Sequence, residues 1–72
     1  MERVRIMKYV RVNYRGARSL REYGYQTDLD VEVGDTVVVP IGSHEKHAII
    51  VSIEDEVPDL GFEIKKVIRV GE

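Results

Sequence analysis

Tyr9, Tyr23 and Tyr25 are interleaved with Arg5, Arg11 and Arg21, and a further cation, Lys65, follows near the C-terminal end. Aromatic faces on which bases stack, beside cations that follow a sugar–phosphate backbone, are what binding of a single nucleic-acid strand requires. Stacking contributes about 1–3 kcal/mol per base, so one or two tyrosines support weak binding. The competing account is that the same rings cover a small core and keep their hydroxyls at the surface. The residues alone leave both open.

Other chemistries find less support. His44 and His47 lie three apart with Glu45 between them, but a metal site needs further ligands, and only scattered carboxylates are on offer. A solvated loop is the better account. Glu54, Asp55, Glu56 and Asp59 lack the spacing and the glycine of a calcium loop. They read as a solubilising loop or as an acidic patch for a basic partner. Ser19, Ser43 and Ser52 sit in no nucleophile elbow, and no glycine-rich phosphate loop is present. The expectation is a non-enzymatic protein without a cofactor.

The chain has 72 residues and a net charge of −2. Residues 1–25 hold seven basic side chains against two acidic ones; residues 26–63 hold ten acids against Lys46 alone; residues 64–72 are basic again through Lys65, Lys66 and Arg69. If the first and last strands are neighbours, the cations gather on one side, where they could meet phosphates. A solvated surface of mixed sign is the plainer alternative. This length allows one domain, spanning residues 1–72, with a small core; such a chain buries about 60% of its unfolded surface. There is no cysteine, which fits a reducing compartment. No apolar run approaches the roughly 20 residues of a membrane span, and the start, MERVRIMKY, lacks the apolar block of a secretion signal. A cytoplasmic protein without membrane contact is expected.

The elements that would position these side chains are organised around residues 31–53, VEVGDTVVVPIGSHEKHAIIVSI. Two β-rich runs, 36–41 and 48–53, flank a polar segment, 42–47, and Gly34-Asp35 suits a tight turn before the first run. This reads as a hairpin. Val37, Val39 and Ile41 share one face of the first run. Ile49, Val51 and Ile53 share one face of the second, opposite Ala48, Ile50 and Ser52. Both runs are apolar at nearly every position, so at least one strand should be covered on two sides. Pro40 cannot donate to a ladder and belongs at an edge or a bend.

Upstream, residues 3–14 alternate at period two. Val4, Ile6, Val10, Val12 and Tyr14 lie on a dry face interrupted by Lys8, and Arg3, Arg5, Met7, Tyr9, Arg11 and Asn13 on a cationic one. Residues 15–19, with Gly16, read as a hairpin loop. Residues 20–27 form a second strand with Arg21, Tyr23, Tyr25 and Thr27 on one side, and Gly24 marks a bulge or a close approach. Residues 28–33 make a corner and 54–61 an acidic loop. Residues 62–70 allow two readings: period two groups Phe62, Ile64, Ile68 and Val70, whereas period 3.6 groups Ile64, Val67 and Ile68. β-branched residues favour a strand over 66–70, after one helical turn at most. The expected fold is all-β, a small five-stranded barrel that is OB-like or SH3-like.

So arranged, the chain resembles the N-terminal 3′-end-binding domain of PriA, the primosomal replication-restart helicase. The matching run is Tyr23-Gly24-Tyr25, then Leu29-x-Val31-x-Val33-Gly34-Asp35-x-Val37-x-Val39-Pro40-x-Gly42, then Ile49-Ile50-Val51-x-Ile53, with Lys65 and the pair Val67-Ile68 beyond. Similar Gly-Asp-x-Val-x-Val-Pro-x-Gly strings occur in cochaperonins and in the Tudor-like domain of CarD transcription factors; the spacing to Lys65 separates the first family from these. In that helicase the domain holds the 3′ end of a nascent DNA strand. The resemblance implies that Tyr23, Gly42 and Lys65 line a pocket for it; Tyr25 and Arg21 join them as candidate nucleic-acid contacts from the pattern of tyrosines and cations alone. One departure stands out: the family's aspartate, which recognises the terminal hydroxyl, falls on Gly24, while Glu22 shares that strand face.

The expected function is therefore a non-enzymatic, free-standing module that binds single-stranded or junction DNA, without the helicase motor or its zinc-binding region. The alternative is an SH3- or Tudor-like module, of the kind a phage or mobile element encodes, that docks on a replication or transcription protein. A third possibility is dimerisation through the long first strand.

Overall fold

Alternation is obeyed at the start of the chain. In β1 (Lys8–Tyr14) Val10 and Val12 are fully buried and Arg11 between them is exposed. The computed structural model describes residues 6–14 and 21–71. The loop expected over 15–19, Arg3, Val4, Arg5 and Leu20 lie outside these. Ile6 is exposed and does not join the dry face. β2 (Tyr23–Thr27) runs antiparallel to β1 and sets Tyr25 opposite Val10 and Tyr23 opposite Val12. Tyr23, Tyr25 and Thr27 thereby share the inward side with the two valines.

Three further strands follow: β3 (Thr36–Ile41), β4 (His44–Glu54) and β5 (Arg69–Val70). The sheet order is β2-β1-β4-β3-β5, every ladder being antiparallel. Among the described residues there is no helix, and so none long and apolar enough to cross a membrane. The described residues form an all-β fold with five strands, as expected. The strand ladder stays open between β2 and β5, but one segment spans the gap. Gln26 N donates to Lys65 O at 3.0 Å and Val67 N to Gln26 O at 2.9 Å; then Ile68 N donates to Val38 O at 2.8 Å. Residues 65–68 thus pass from β2 to β3 and give the sheet its barrel-like closure. Inside lies a cluster of Val10, Val12, Tyr25, Val37, Val39 and Ile50, with Val31, Ala48 and Val67. It is rich in β-branched residues, which pack well on a pleated surface. Val38, between Val37 and Val39, is buried too, so β3 is covered on both faces.

Several expectations need correction. β1 lies between β2 and β4, not beside β5, so the two basic ends are not brought together by strand pairing, and β1 is paired within the sheet on both sides. Arg11 is instead held by Glu54 at 3.4 Å, and Arg69 by Glu45 at 3.4 Å. Residues 44–47 are not loop but the start of β4, where Glu45 faces Pro40 and His47 faces Val38. Exposed strand ends carry polar residues as loops do, and composition alone does not separate them. In β4 it is Ala48 and Ile50 that are buried, while Ile49 is 39% exposed. The register against β1 skips Val51, pairing Arg11 with Ser52 but Val12 with Ile50. This bulge flips the inward parity, so that Ile53 again packs on the core. At the C-terminal end Ile64 and Val67 are buried, whereas Phe62, Ile68 and Val70 are exposed. Of the strand expected over 66–70, only Arg69–Val70 joins a ladder, with a single parallel bridge from Lys66 to Gln26 ahead of it, and no helical turn forms. The change of partner from β2 to β3 breaks any single periodicity.

The hairpin turn is only Gly42–Ser43. Gly42 has φ +56°, and a glycine with positive φ in first place is what a two-residue II′ turn needs. A Cβ there would meet nothing within 4 Å, so the cost of substitution is that of the backbone alone. Gly42→Ala is expected to destabilise by about 1 kcal/mol, the left-handed penalty less the gain from a stiffer unfolded chain. In a domain of this size that lowers Tm by about 4–8 °C, and thermal denaturation followed by circular dichroism checks it.

Candidate functional site

β2 is bonded to the C-terminal segment through Gln26, and no backbone hydrogen bond joins residues 60–65 to Tyr23 or Gly24. Around this end of the strand lies an open pocket of about 520 Å³. Tyr23 and Tyr25 reach it from β2, Gly42 from the hairpin turn and Lys65 from the C-terminal segment. Four of the five residues singled out in the sequence therefore line one pocket. Arg21 does not; it is exposed, two residues ahead of β2.

The aromatic wall is built in layers. The Tyr23 ring stacks on Tyr14, with centroids 4.3 Å apart and planes 25° from parallel. The Tyr25 hydroxyl donates to the Pro40 carbonyl at 3.3 Å, which leaves the Tyr14 hydroxyl to donate to Tyr25 at 2.7 Å. β5 faces only Val37 and Val38, so β3 has no strand partner on that side at Pro40, as a proline requires. Tyr25 is 6% exposed; burial above all, and then its bond to Tyr14, pushes its pKa above the usual tyrosine range. Lys46 lies over the Tyr14 ring, 5.1 Å from its centroid, a cation–π contact. Tyr25 thus anchors the wall, and the half-buried Tyr23 presents it to the pocket.

Gly24 marks a close approach, and the bulge sits on β4 instead. A Cβ at position 24 would stand 1.9 Å from the Tyr9 hydroxyl. Tyr9, which faces Gln26 across the ladder, leans diagonally over Gly24 and fills the volume that any side chain there would take. Arg11 sits 5.9 Å from the centroid of the Tyr9 ring. The pocket's charged groups are Glu22, Glu63 and Lys65, and no side-chain hydrogen bond or ion pair engages any of the three among the described residues.

Leu60 and Phe62 form an apolar rim, Phe62 being 69% exposed. Sequence reasoning missed this rim, Glu63 and Tyr14. For Tyr14 a signal existed, since a hydroxyl at the end of a valine row needs a buried partner. Among the described residues no group of three or more His, Cys, Asp or Glu could hold a metal ion.

The family model for the PriA 3′DNA-binding domain (3′BD) matches residues 9–72. No curated protein and no solved structure matches the chain.

Proposed function

The chain belongs to the PriA 3′DNA-binding domain family, and on that footing we propose that it binds the 3′ end of single-stranded or junction DNA in the pocket beside β2, without catalysis. The observation that carries this reading is the convergence of Tyr23, Gly42 and Lys65 on one pocket. Tyr14 covers one face of Tyr23, and the other takes the terminal base. The open space over Gly42 admits the sugar–phosphate backbone. Lys65 meets a phosphate at the mouth, and Arg21 extends the cationic path along the departing strand. Glu22 and Glu63, exposed on the wall of the same pocket, disfavour a second phosphate there, which suits a chain end with a neutral sugar hydroxyl better than a continuing strand.

A second reading, docking of a protein segment from the replication or transcription machinery, draws on the exposed Leu60 and Phe62. Titration of a short 5′-labelled single strand decides between them. Binding at low ionic strength is expected, weakening as salt rises with a slope of about −0.7 per phosphate contact, with amide shifts at Tyr23, Gly42 and Lys65. Absence of binding at low salt, or shifts confined to residues outside the pocket, overturns the DNA reading.

A further inference from the structure

We infer that Tyr9, lodged in the space left by Gly24, is the residue that reads the terminal sugar hydroxyl. This rests on the DNA reading above and deepens it. A DNA 3′ end differs from an internal position by a free hydroxyl where a phosphodiester would be, so a pocket selective for it needs a hydrogen-bonding group aimed at that oxygen. Residue 24 lies in the pocket wall but has no side chain to offer. The Tyr9 phenol stands where such a side chain would be, 1.9 Å from the place of its Cβ, and has no hydrogen-bond partner among the described residues. Glu22 and Glu63 also line the pocket, but both are exposed side chains with several free torsions. Tyr9 is a half-buried ring with two torsions, set beside the Arg11 guanidinium, so fixing its hydroxyl costs less entropy.

Tyr9 also lines the adjoining hollow of about 400 Å³, together with Arg11, Glu54 and Leu60. Tyr9 and Leu60 line both spaces and so stand between them. A phenol both donates and accepts, so it can pair with the sugar hydroxyl in either sense. A 2′,3′-dideoxy end leaves it without a partner, and a 3′-phosphate brings negative charge against the two carboxylates.

The test compares three 5′-labelled oligonucleotides of one sequence, ending in 3′-hydroxyl, 2′,3′-dideoxy and 3′-phosphate, by fluorescence anisotropy. The hydroxyl end is expected to bind about three- to tenfold more tightly than the dideoxy end, the factor one neutral hydrogen bond supplies, and the phosphate end most weakly. Tyr9→Phe should remove the preference for hydroxyl over dideoxy by lowering affinity for the hydroxyl end. Gly24→Ala should do the same with the phenol still present, since its methyl displaces the ring tip. Equal affinity of the wild-type protein for hydroxyl and dideoxy ends overturns the inference while leaving DNA binding intact. So does a preference that survives Tyr9→Phe or disappears in Glu22→Gln instead. Failure of all three oligonucleotides to bind overturns the inference and the DNA reading together.

Discussion

Tyr23→Ala is expected to weaken binding of a short single strand about 5- to 150-fold, the range that about 1–3 kcal/mol of base stacking represents. The loss is specific because the ring's orientation is already fixed in the free protein. Tyr14 covers one face of Tyr23, and Tyr14 is itself tied through Tyr25 to the Pro40 carbonyl. A base meeting Tyr23 extends an existing stack and orders little else. Tyr23→Phe keeps the ring and the stack and should bind within about twofold of wild type, well inside one hydrogen bond's worth. The Tyr14–Tyr25–Pro40 chain does not pass through residue 23, so the alanine variant should still fold with a lowered Tm. Oligonucleotide anisotropy beside a thermal melt separates the two effects. Unchanged affinity in a folded Tyr23→Ala protein would remove the stacking role.

How much of this was legible in the sequence depends on whether one strand or several decide a residue's place. Val10 and Val12 are buried because β1 alternates from Tyr9 to Asn13, and Gly34-Asp35 turns where expected: Asp35 N donates to Glu32 O at 3.0 Å, and the Asp35 carboxylate accepts from Glu32 N at 2.9 Å. Such features are local. The parity of β4 is not, because one skipped residue, Val51, set by pairing with β1, decides whether Ile49 or Ile50 faces the core. The spacing of Ile64 and Val67 likewise reflects two different partner strands.

The same division runs through the pocket. Tyr23, Gly42 and Lys65 could be brought together by resemblance, and Tyr9 stood out as an aromatic on a cationic face. That Tyr9 fills the void above Gly24 could not be read, since it is a diagonal contact between strands whose register had first to be known. An absent side chain at 24 looks like a loss in the sequence. In the fold it is half of a large–small pair.

Lys65→Glu is expected to reduce single-strand affinity more than tenfold at about 50 mM salt and to shrink the salt slope by about 0.7, the share of one phosphate contact on a single strand. Lys65 is suited to such a contact because its backbone is fixed while its side chain is not engaged. Its carbonyl accepts from Gln26 N at 3.0 Å, its neighbour Ile64 is buried, and its exposed ammonium lines the pocket without an ion pair among the described residues. Arg11 and Arg69, by contrast, are each held by a glutamate of β4. The informative comparison is Lys66→Glu, which changes net charge equally at an exposed neighbour that does not line the pocket. If Lys65 acts by contact, Lys66→Glu should cost far less, and its small effect should fade by about 0.2 M salt, where the screening length is under 10 Å. Equal losses in the two variants would mean that DNA responds to the overall field of the molecule, and the pocket would then have no claim on the phosphate. Both changes are at exposed side chains and should leave stability within about 0.5 kcal/mol of wild type, so a difference in binding cannot be laid to unfolding.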